Sequence, residues 1–188
     1  MTFGADNAPC FSKGEGNMII LISGATHVGK TNLAQKLMEK YHYPYTSIDH
    51  IKMGLKRTGM IEDIDGDELT EIIWPIIREM IKTMIENEQN AIIEGCYIPQ
   101  NWKESFDEEY LEDIRCLYLI MSQKYIEEHF DDICKYASVI EDRGEDGECT
   151  IDRIKNENQI YLDRCNQHNC EYILIDDEYD VEDYDFGM

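Results

Sequence analysis

The segment from residue 18 to residue 32 reads Met-Ile-Ile-Leu-Ile-Ser-Gly-Ala-Thr-His-Val-Gly-Lys-Thr-Asn. Its part from Gly24 to Thr31 matches the pattern G-x-x-x-x-G-K-[ST] in full. The apolar run before the first glycine is typical of a buried strand, and the residues after Gly29 favour a helix. A strand, a glycine-rich turn and a helix start, in this order, predict a loop that binds phosphate groups.

The residue types in this loop suit phosphate binding. Gly24 and Gly29 let the backbone bend so that successive N–H groups point at one anion. Lys30 is predicted to reach the terminal phosphates of a nucleotide, and the Thr31 hydroxyl to ligate Mg²⁺. His27 is expected to contribute its backbone N–H rather than its ring. The predicted nucleotide-binding residues are Gly24, Ala25, Thr26, His27, Val28, Gly29, Lys30, Thr31 and Asn32.

The composition excludes several classes of partner. With 188 residues the chain is long enough for one domain with a sizeable core. Its formal net charge of −23 should repel DNA, RNA and anionic membranes, so we expect no nucleic-acid or membrane partner. No apolar stretch approaches the ~18 residues that span a bilayer, and the first residues do not resemble a secretory signal.

The cysteines indicate a reducing environment. The chain has seven cysteines, an odd number, and they are scattered without a C-x-x-C pair. This pattern predicts reduced thiols and a cytoplasmic location. A monomer and a homodimer are equally compatible with the sequence.

Three regions are expected along the chain. Residues 1–17 are rich in Gly, Asn, Pro and Ser and predict a flexible leader. Residues 18–176 alternate strand and helix patterns and predict the folded domain. Residues 177–188 form an acidic tail that we expect to be solvated, with Tyr179, Tyr184 and Phe186 available to dock part of it.

Within the domain, the short strands are almost continuously apolar, which predicts a parallel sheet covered on both faces. The predicted strands are Met18–Ser23, Tyr45–Ile48, Ala91–Glu94, Ile114–Met121 and Tyr172–Ile175. The predicted helices are Lys30–Tyr41, Gly66–Asn87, Ser122–Ala137, Ile151–Gln167 and a shorter one at Trp102–Tyr110. Pro75 lies inside the second of these and is expected to kink or break it. The alternation predicts a doubly wound α/β fold.

Acidic residues follow the predicted strands at the edge of the sheet where ligands bind in such folds. Asp49 is placed to accept a proton from an attacking hydroxyl, or to hold a water on Mg²⁺. Alternatively, it caps the N-terminus of a helix. Lys52 and Arg57 follow it and are candidates to hold an anionic substrate.

Glu94 closes an apolar strand, as does the acidic residue on the Mg²⁺ side of many phosphate-loop enzymes, where it is usually Asp. Glu is one methylene longer, so it acts through a water or contacts the acceptor instead. Gly95 permits close backbone approach. The candidate substrate-binding residues are Asp49, Lys52, Arg57, Arg78, Glu94 and Gly95, and the candidate metal ligands are Thr31 and Glu94.

The acidic, glycine-containing excursion over residues 138–153 carries Arg143 and Arg153. Arginine pairs with phosphate oxygens in a fork, so a mobile loop bearing it would close over the nucleotide. The alternative is that both arginines pair with neighbouring acids. Arg164 is a further candidate, although it lies inside a predicted helix.

Together these residues resemble the small P-loop kinases, which include adenylate-kinase-like nucleotide kinases, shikimate and gluconate kinases, 2-phosphoglycerate-kinase-like proteins and zeta-toxin-like sugar-nucleotide kinases. The resemblance covers residues 18–176 and implies a three-layer fold with a five-stranded parallel sheet of order 2-3-1-4-5. It also implies ATP and Mg²⁺ as ligands, residues 138–153 as the lid, and Lys30, Asp49, Arg143 and Arg153 as catalytic residues.

Two segments carry the resemblance at the acceptor side. Asp49-His-Ile-Lys52 is similar to the acidic strand-end motif of the kinases that phosphorylate hydroxyls. Glu94-Gly-Cys-Tyr-Ile-Pro99 is similar to the Asp-Gly-Phe-Pro-Arg segment of nucleotide kinases. It departs from that segment because Glu replaces Asp and Gln100 stands where Arg is expected. The missing arginine grips the acceptor nucleotide in that family, which argues against adenylate kinase activity.

The leading hypothesis is an ATP-dependent phosphotransferase that moves the γ-phosphoryl group of MgATP to a small-molecule acceptor, with a hydroxyl as the favoured acceptor group. A nucleoside monophosphate kinase of the adenylate type is the first alternative. A non-kinase nucleotide-binding protein or regulatory NTPase is the second. No Asn-Lys-x-Asp guanine-reading motif occurs in the chain, which argues against a GTPase.

Overall fold

The computed structural model describes residues 17–61, 64, 66–136, 150–181, 184 and 186. Residues 1–16 of the leader and most of the 138–153 excursion, including Arg143, therefore lie outside the described residues. In chain order the described elements are β1 (Ile19–Gly24), α1 (Lys30–Tyr41), β2 (Tyr45–Ser47), α2 (Ile48–Arg57), α3 (Gly66–Glu86), β3 (Ala91–Glu94), a 3₁₀ turn (Trp102–Ser105), α4 (Glu108–Leu111), β4 (Ile114–Met121), α5 (Gln123–Tyr136), α6 (Ile151–His168) and β5 (Tyr172–Ile175).

The five strands form one sheet of order β2-β3-β1-β4-β5, and every neighbouring pair is parallel. This confirms the expected fold class and strand order. β1 is the central strand. Its register places Ile22 level with Glu94 of β3, and Ser47 of β2 lies level with Glu94 on the other side. The ends of these three strands therefore meet at one edge of the sheet.

Both faces of the sheet are covered, which explains why the strands are apolar throughout. On one face, Ile19 and Leu21 belong to a core that includes residues of α3 and α6. On the other face, Ile20 and Ile22 belong to a core that includes residues of α1 and α5. All four of these β1 side chains are fully buried. The helices on both faces of the sheet therefore pack against the same central strand.

The predicted boundaries mostly agree with the structure, with two exceptions. The second strand ends at Ser47, and Ile48 begins α2, a helix that the sequence did not clearly indicate. The predicted helix at Trp102–Tyr110 is instead a 3₁₀ turn and the short α4. Phe106 between them has an extended backbone, and its buried ring contacts Trp102 and Trp74. Burial of this ring interrupts the helix.

α3 continues without a break through Pro75, so the expected break does not occur. Pro75 lies on the exposed face of α3, while Ile73, Trp74 and Ile77 on the other face are buried. The carbonyl of Glu71 loses its helical partner because proline has no N–H, but on the exposed side water can replace it. Burial of the apolar face keeps the helix continuous.

None of the described helices has the length and hydropathy to cross a membrane.

Asn158 ties α6 to the carboxyl end of β4. Its side chain is fully buried. Its Oδ1 accepts from the Met121 N–H at 2.7 Å, and its Nδ2 donates to the Ile154 carbonyl at 2.8 Å. Both polar groups of the side chain are thereby satisfied inside the core, as buried polar groups require.

Replacing Asn158 by Ala should lower the free energy of unfolding by about 1–3 kcal/mol, because the Met121 N–H is left buried without a partner. Urea denaturation measures the change. Asn156→Ala, at an exposed position of the same helix, is the matched control and should change stability by less than about 0.5 kcal/mol. Equal stabilities of the two variants would contradict this role for Asn158.

Candidate functional site

The glycine-rich loop follows β1 and passes directly beside β4. Gly24 has φ +139°, and a Cβ built there would lie 2.2 Å from the Leu119 carbonyl oxygen. No side chain fits at this distance, and the positive φ favours glycine in its own right. The first glycine of the motif is therefore required by the packing of two central strands, independently of any ligand.

The second glycine of the motif, Gly29, lies against an aromatic side chain from far along the chain. It has φ +86°, and a Cβ built on it would lie 1.8 Å from the hydroxyl oxygen of Tyr179. That hydroxyl donates to the Val28 carbonyl at 3.3 Å. Burial raises the pKa of Tyr179 to about 12, so the phenol keeps the proton that it donates. Tyr179 thus supports the outer side of the loop.

The segment after β5 is anchored beside the loop. Val181 is fully buried and Phe186 nearly so, and both belong to the core that contains the apolar residues of α1 and α5. The ring of Tyr184 packs edge-on against Phe186. The sequence treated residues 177–188 as mainly solvated, with docking by the aromatic residues as an alternative. The described part of this segment docks through those residues.

Lys30 begins α1 and turns its side chain into the loop. Its Nζ donates to the Ala25 carbonyl at 2.8 Å, and the residue is only 7% exposed. Thr31 and Asn32 complete the first helical turn, which contains no acidic residue. The positive end of the helix dipole therefore has no carboxylate from its own first turn to offset it, and this arrangement favours an anion.

Glu94 lies at the end of β3, on the same face of the sheet as α1. Side chains two residues apart share a face of a strand, and Ile92 belongs to the core that includes α1 residues. The Glu94 carboxylate is 2% exposed, and its Oε1 accepts from the Tyr45 hydroxyl at 3.0 Å. Level with it in the sheet is Ser47, whose fully buried hydroxyl has no hydrogen-bond partner among the described residues.

These oxygen atoms fit the ligand preference of Mg²⁺. The described residues contain no group of three or more His, Cys, Asp or Glu side chains able to hold a metal ion by themselves. A magnesium ion that reaches the protein with a nucleotide needs no such group, because phosphate oxygens and waters supply most of its ligands. Thr31 and Glu94 therefore remain suitable candidate ligands, and the sequence had not indicated Ser47 or Tyr45.

Asp49 lies in the first turn of α2 and forms a cluster with Lys52 and Tyr97. Its Oδ1 is 2.5 Å from Lys52 Nζ, which donates to the Tyr97 hydroxyl at 3.1 Å. Burial alone would lower the pKa of Lys52, but the hydrogen bonds and charge of its two partners raise it, so the lysine stays protonated. Ser47 occupies the N-cap position of α2, so Asp49 does not cap the helix.

Gly95 brings this cluster close to the end of β3. Its N–H donates to the Ile22 carbonyl at 3.1 Å, which continues the β1–β3 pairing. A Cβ on Gly95 would lie 2.8 Å from the Cβ of Ile48, the first residue of α2. The start of α2, with Asp49 in its first turn, can approach β3 because residue 95 has no side chain.

The remaining basic candidates, Arg57 and Arg78 for the acceptor and Arg164 for the phosphates, lie on three different helices. Arg57 is exposed at the far end of α2, about 12 Å along the helix axis from Asp49. Arg78 donates from Nε to Glu79 at 2.8 Å. Arg164 makes two 2.8 Å hydrogen bonds with Asp67, so this pair links α6 to the first turn of α3. The structure does not bring Arg57 together with Asp49.

Arg153 lies in the first turn of α6 and reaches the phosphate loop through Glu157. Its Nε is 2.9 Å from Oε1 of Glu157, and Oε2 of Glu157 accepts from the Thr26 N–H at 3.3 Å. The structure thus shows Arg153 paired with a neighbouring acid, as the alternative interpretation expected. The four-residue spacing predicts the pair of Arg153 with Glu157. No sequence pattern predicts the contact of Glu157 with Thr26, which lies 131 residues earlier in the chain.

Replacing Gly29 by Ala should lower the free energy of unfolding by about 1–3 kcal/mol, from backbone strain and from the clash with Tyr179. In a Tyr179→Ala background the same change should cost less, because only the strain remains. Denaturation of the four proteins by urea measures both effects. Gly54→Ala is the control, since a Cβ there meets nothing within 4 Å. Equal costs of Gly29→Ala in the two backgrounds would contradict the contact.

Comparison with known proteins shows a shared fold. No family model matches the sequence, and no curated protein shows significant similarity to it. A shikimate kinase from Bacteroides thetaiotaomicron is 18% identical, with a TM-score of 0.53 over 87% of this chain and 88% of that chain. A chain of the Pnkp1/Rnl/Hen1 RNA repair complex is 13% identical, with a TM-score of 0.50 over 84% of this chain and 48% of its own length.

A sugar kinase from Janibacter sp. HTCC2649 is also similar, at 15% identity and a TM-score of 0.49 over 85% of each chain. For the shikimate kinase and the RNA repair chain, identities this low show a common fold and leave the activity to be argued from the site. The sheet order, the glycine-rich loop and the shikimate kinase similarity agree, and the chain has the fold of the small P-loop kinases.

Proposed function

We propose that the protein is an ATP-dependent phosphotransferase that transfers the γ-phosphoryl group of MgATP to a hydroxyl group of a small molecule. One observation supports this most directly. A complete phosphate loop and the carboxylate of Asp49 lie at the ends of β1 and β2, on the same edge of one sheet. Such an edge is where ligands bind in open parallel sheets.

The loop residues would hold the triphosphate. The backbone N–H groups between Gly24 and Lys30, apart from that of Thr26, which donates to Glu157, would provide positive partial charge for the phosphate oxygens together with the helix dipole of α1. Lys30 would exchange its present bond to the Ala25 carbonyl for a phosphate oxygen. Thr31 and Glu94 would hold Mg²⁺, directly or through water, and bound magnesium neutralises charge on the phosphate oxygens.

Asp49 would accept the proton of the attacking hydroxyl. The acceptor oxygen forms a bond to the γ-phosphorus, the bond from that phosphorus to the bridging oxygen of ADP breaks, and the proton moves to the carboxylate. Lys52 and Tyr97 fix the carboxylate in place, because Lys52 holds one of its oxygens and is itself bonded to Tyr97. Arg153, and Arg143 from the excursion, would neutralise charge on the transferred group.

A hydroxyl acceptor fits the described residues better than a nucleoside monophosphate. An acceptor phosphate needs cations, whereas Lys52 is paired with Asp49 and Arg78 with Glu79. Gln100 is buried and stands where nucleotide kinases carry an arginine.

We further propose that the acidic protein acts in the cytoplasm without a nucleic-acid or membrane partner.

Replacing Asp49 by Asn should lower the phosphoryl-transfer rate by roughly 10²- to 10⁴-fold, because the proton acceptor is lost. The affinity for MgATP should change by less than about twofold, since Asp49 lies outside the phosphate loop. ADP release is followed with a panel of sugars, polyols, hydroxy acids and nucleoside monophosphates. Asp131→Asn, on the exposed side of α5, is the control. Full activity of Asp49→Asn would exclude Asp49 as the base.

Replacing Lys30 by Ala should weaken MgATP binding at least about tenfold, because a charge-assisted hydrogen bond to the phosphates is removed. Titration calorimetry with ATP and with GTP, in the presence of Mg²⁺, measures the affinity of each. Lys40→Ala, at an exposed position in the last turn of the same helix, should bind like wild type. If the wild-type protein takes up neither nucleotide, the proposed function is wrong.

A further inference from the structure

A chain of three groups connects α6 to the phosphate loop. The guanidinium of Arg153 bonds to one oxygen of Glu157, and the other oxygen of Glu157 accepts from the backbone N–H of Thr26. Arg153 and Glu157 are one helical turn apart, so their side chains lie on the same side of α6. The carboxylate is held at both oxygens, and it therefore fixes where the guanidinium lies relative to the loop.

The helix that carries this chain of groups is also fixed to the segment after β3. One turn further along α6, the hydroxyl of Tyr161 donates to the Cys96 carbonyl at 2.8 Å. Cys96 precedes Tyr97, which belongs to the cluster with Asp49 and Lys52. The part of α6 that carries Glu157 is thus fixed between the phosphate loop and the segment after β3. A terminal phosphate that faces the acceptor would lie beside this part of α6.

An exposed Arg–Glu pair by itself holds its side chains weakly. Arg153 is 46% exposed and Glu157 is 26% exposed. The bond from Thr26 adds a second constraint, because the loop N–H is part of a backbone that is itself packed against β4 at Gly24. The position of the guanidinium is therefore set by the loop that would hold the phosphates, and not by α6 alone.

We propose that Glu157 is a positioning residue that holds Arg153 beside the phosphate loop, and that this arrangement makes the site prefer nucleoside triphosphates to diphosphates. The inference rests on the proposed function, since it concerns the same nucleotide site. Arg153 contacts the terminal phosphate, which the diphosphate lacks, so its contribution appears in the affinity for ATP and not in the affinity for ADP.

A purely structural role for Glu157 has a different consequence. If its carboxylate only anchored α6 to the loop, its loss would disturb the loop and weaken ATP and ADP equally. The ratio of the two dissociation constants separates the two roles. Glu157→Gln is the informative variant, because the amide oxygen can still accept from the Thr26 N–H while the charge that holds Arg153 is removed.

The experiment is titration calorimetry of the full-length protein with MgATP and MgADP. The proteins are wild type, Arg153→Ala, Glu157→Gln and the double variant. Each single change should lower the preference for ATP over ADP by roughly three- to tenfold, with ADP affinity nearly unchanged. The double variant should lose no more than the larger single effect, because both changes remove the same interaction.

Glu127→Gln is the matched control. It breaks the ion pair between Glu127 of α5 and Lys155 of α6, and it should leave the ratio of the ATP and ADP dissociation constants unchanged. An unaltered ratio in Glu157→Gln, or equal weakening of both nucleotides, overturns the positioning role while the proposed function stands. Additive losses in the double variant also overturn it. If wild type binds neither nucleotide, the proposed function and this inference both fail.

Discussion

The close approach of β1 and β4 at Gly24 is the constraint on which the site depends. β1 is buried on both faces and paired on both edges, so its direction is fixed by the whole sheet. Where it ends, the chain passes the Leu119 carbonyl with no room for a side chain. The loop therefore begins from a rigid point, and its N–H groups are held in position before any ligand arrives. Preorganisation of this kind lowers the cost of binding an anion.

Most of the fold could be predicted from the sequence because its signals are local. The near-continuous apolar strands indicated a covered parallel sheet, and the glycine motif located the turn between β1 and α1. α2 was less clear because β2 ends at Ser47 and the helix begins at the next residue, with no turn to mark the boundary. Pro75 was misleading for a different reason: burial of one face of α3 outweighed the lost backbone hydrogen bond.

The candidate site could be predicted only in part. Residues next to a strand or motif could be picked as candidates, whereas contacts between residues far apart in the sequence could not. Lys30, Asp49 and Glu94 were identifiable because each lies within or directly after a strand or motif. Other contacts around these residues come from remote segments: Tyr97 holds Lys52, Glu157 reaches Thr26, and Tyr179 supports Gly29. No periodicity or short motif encodes such pairs. They are products of the fold. Asp49 is held through one of them, by way of Lys52, whereas Glu94 accepts from Tyr45 and Lys30 donates to the Ala25 carbonyl.

The contact between Tyr179 and the loop has a consequence for biosynthesis. The tyrosine is 150 residues from Gly29 along the chain, and domains fold as units while synthesis proceeds from the N-terminus. A nascent polypeptide that already contains the whole glycine motif still lacks the side chain that closes over it. The ribosome must therefore translate 150 residues beyond Gly29 before the tyrosine that supports the loop exists, and the complete loop becomes a late product of biosynthesis.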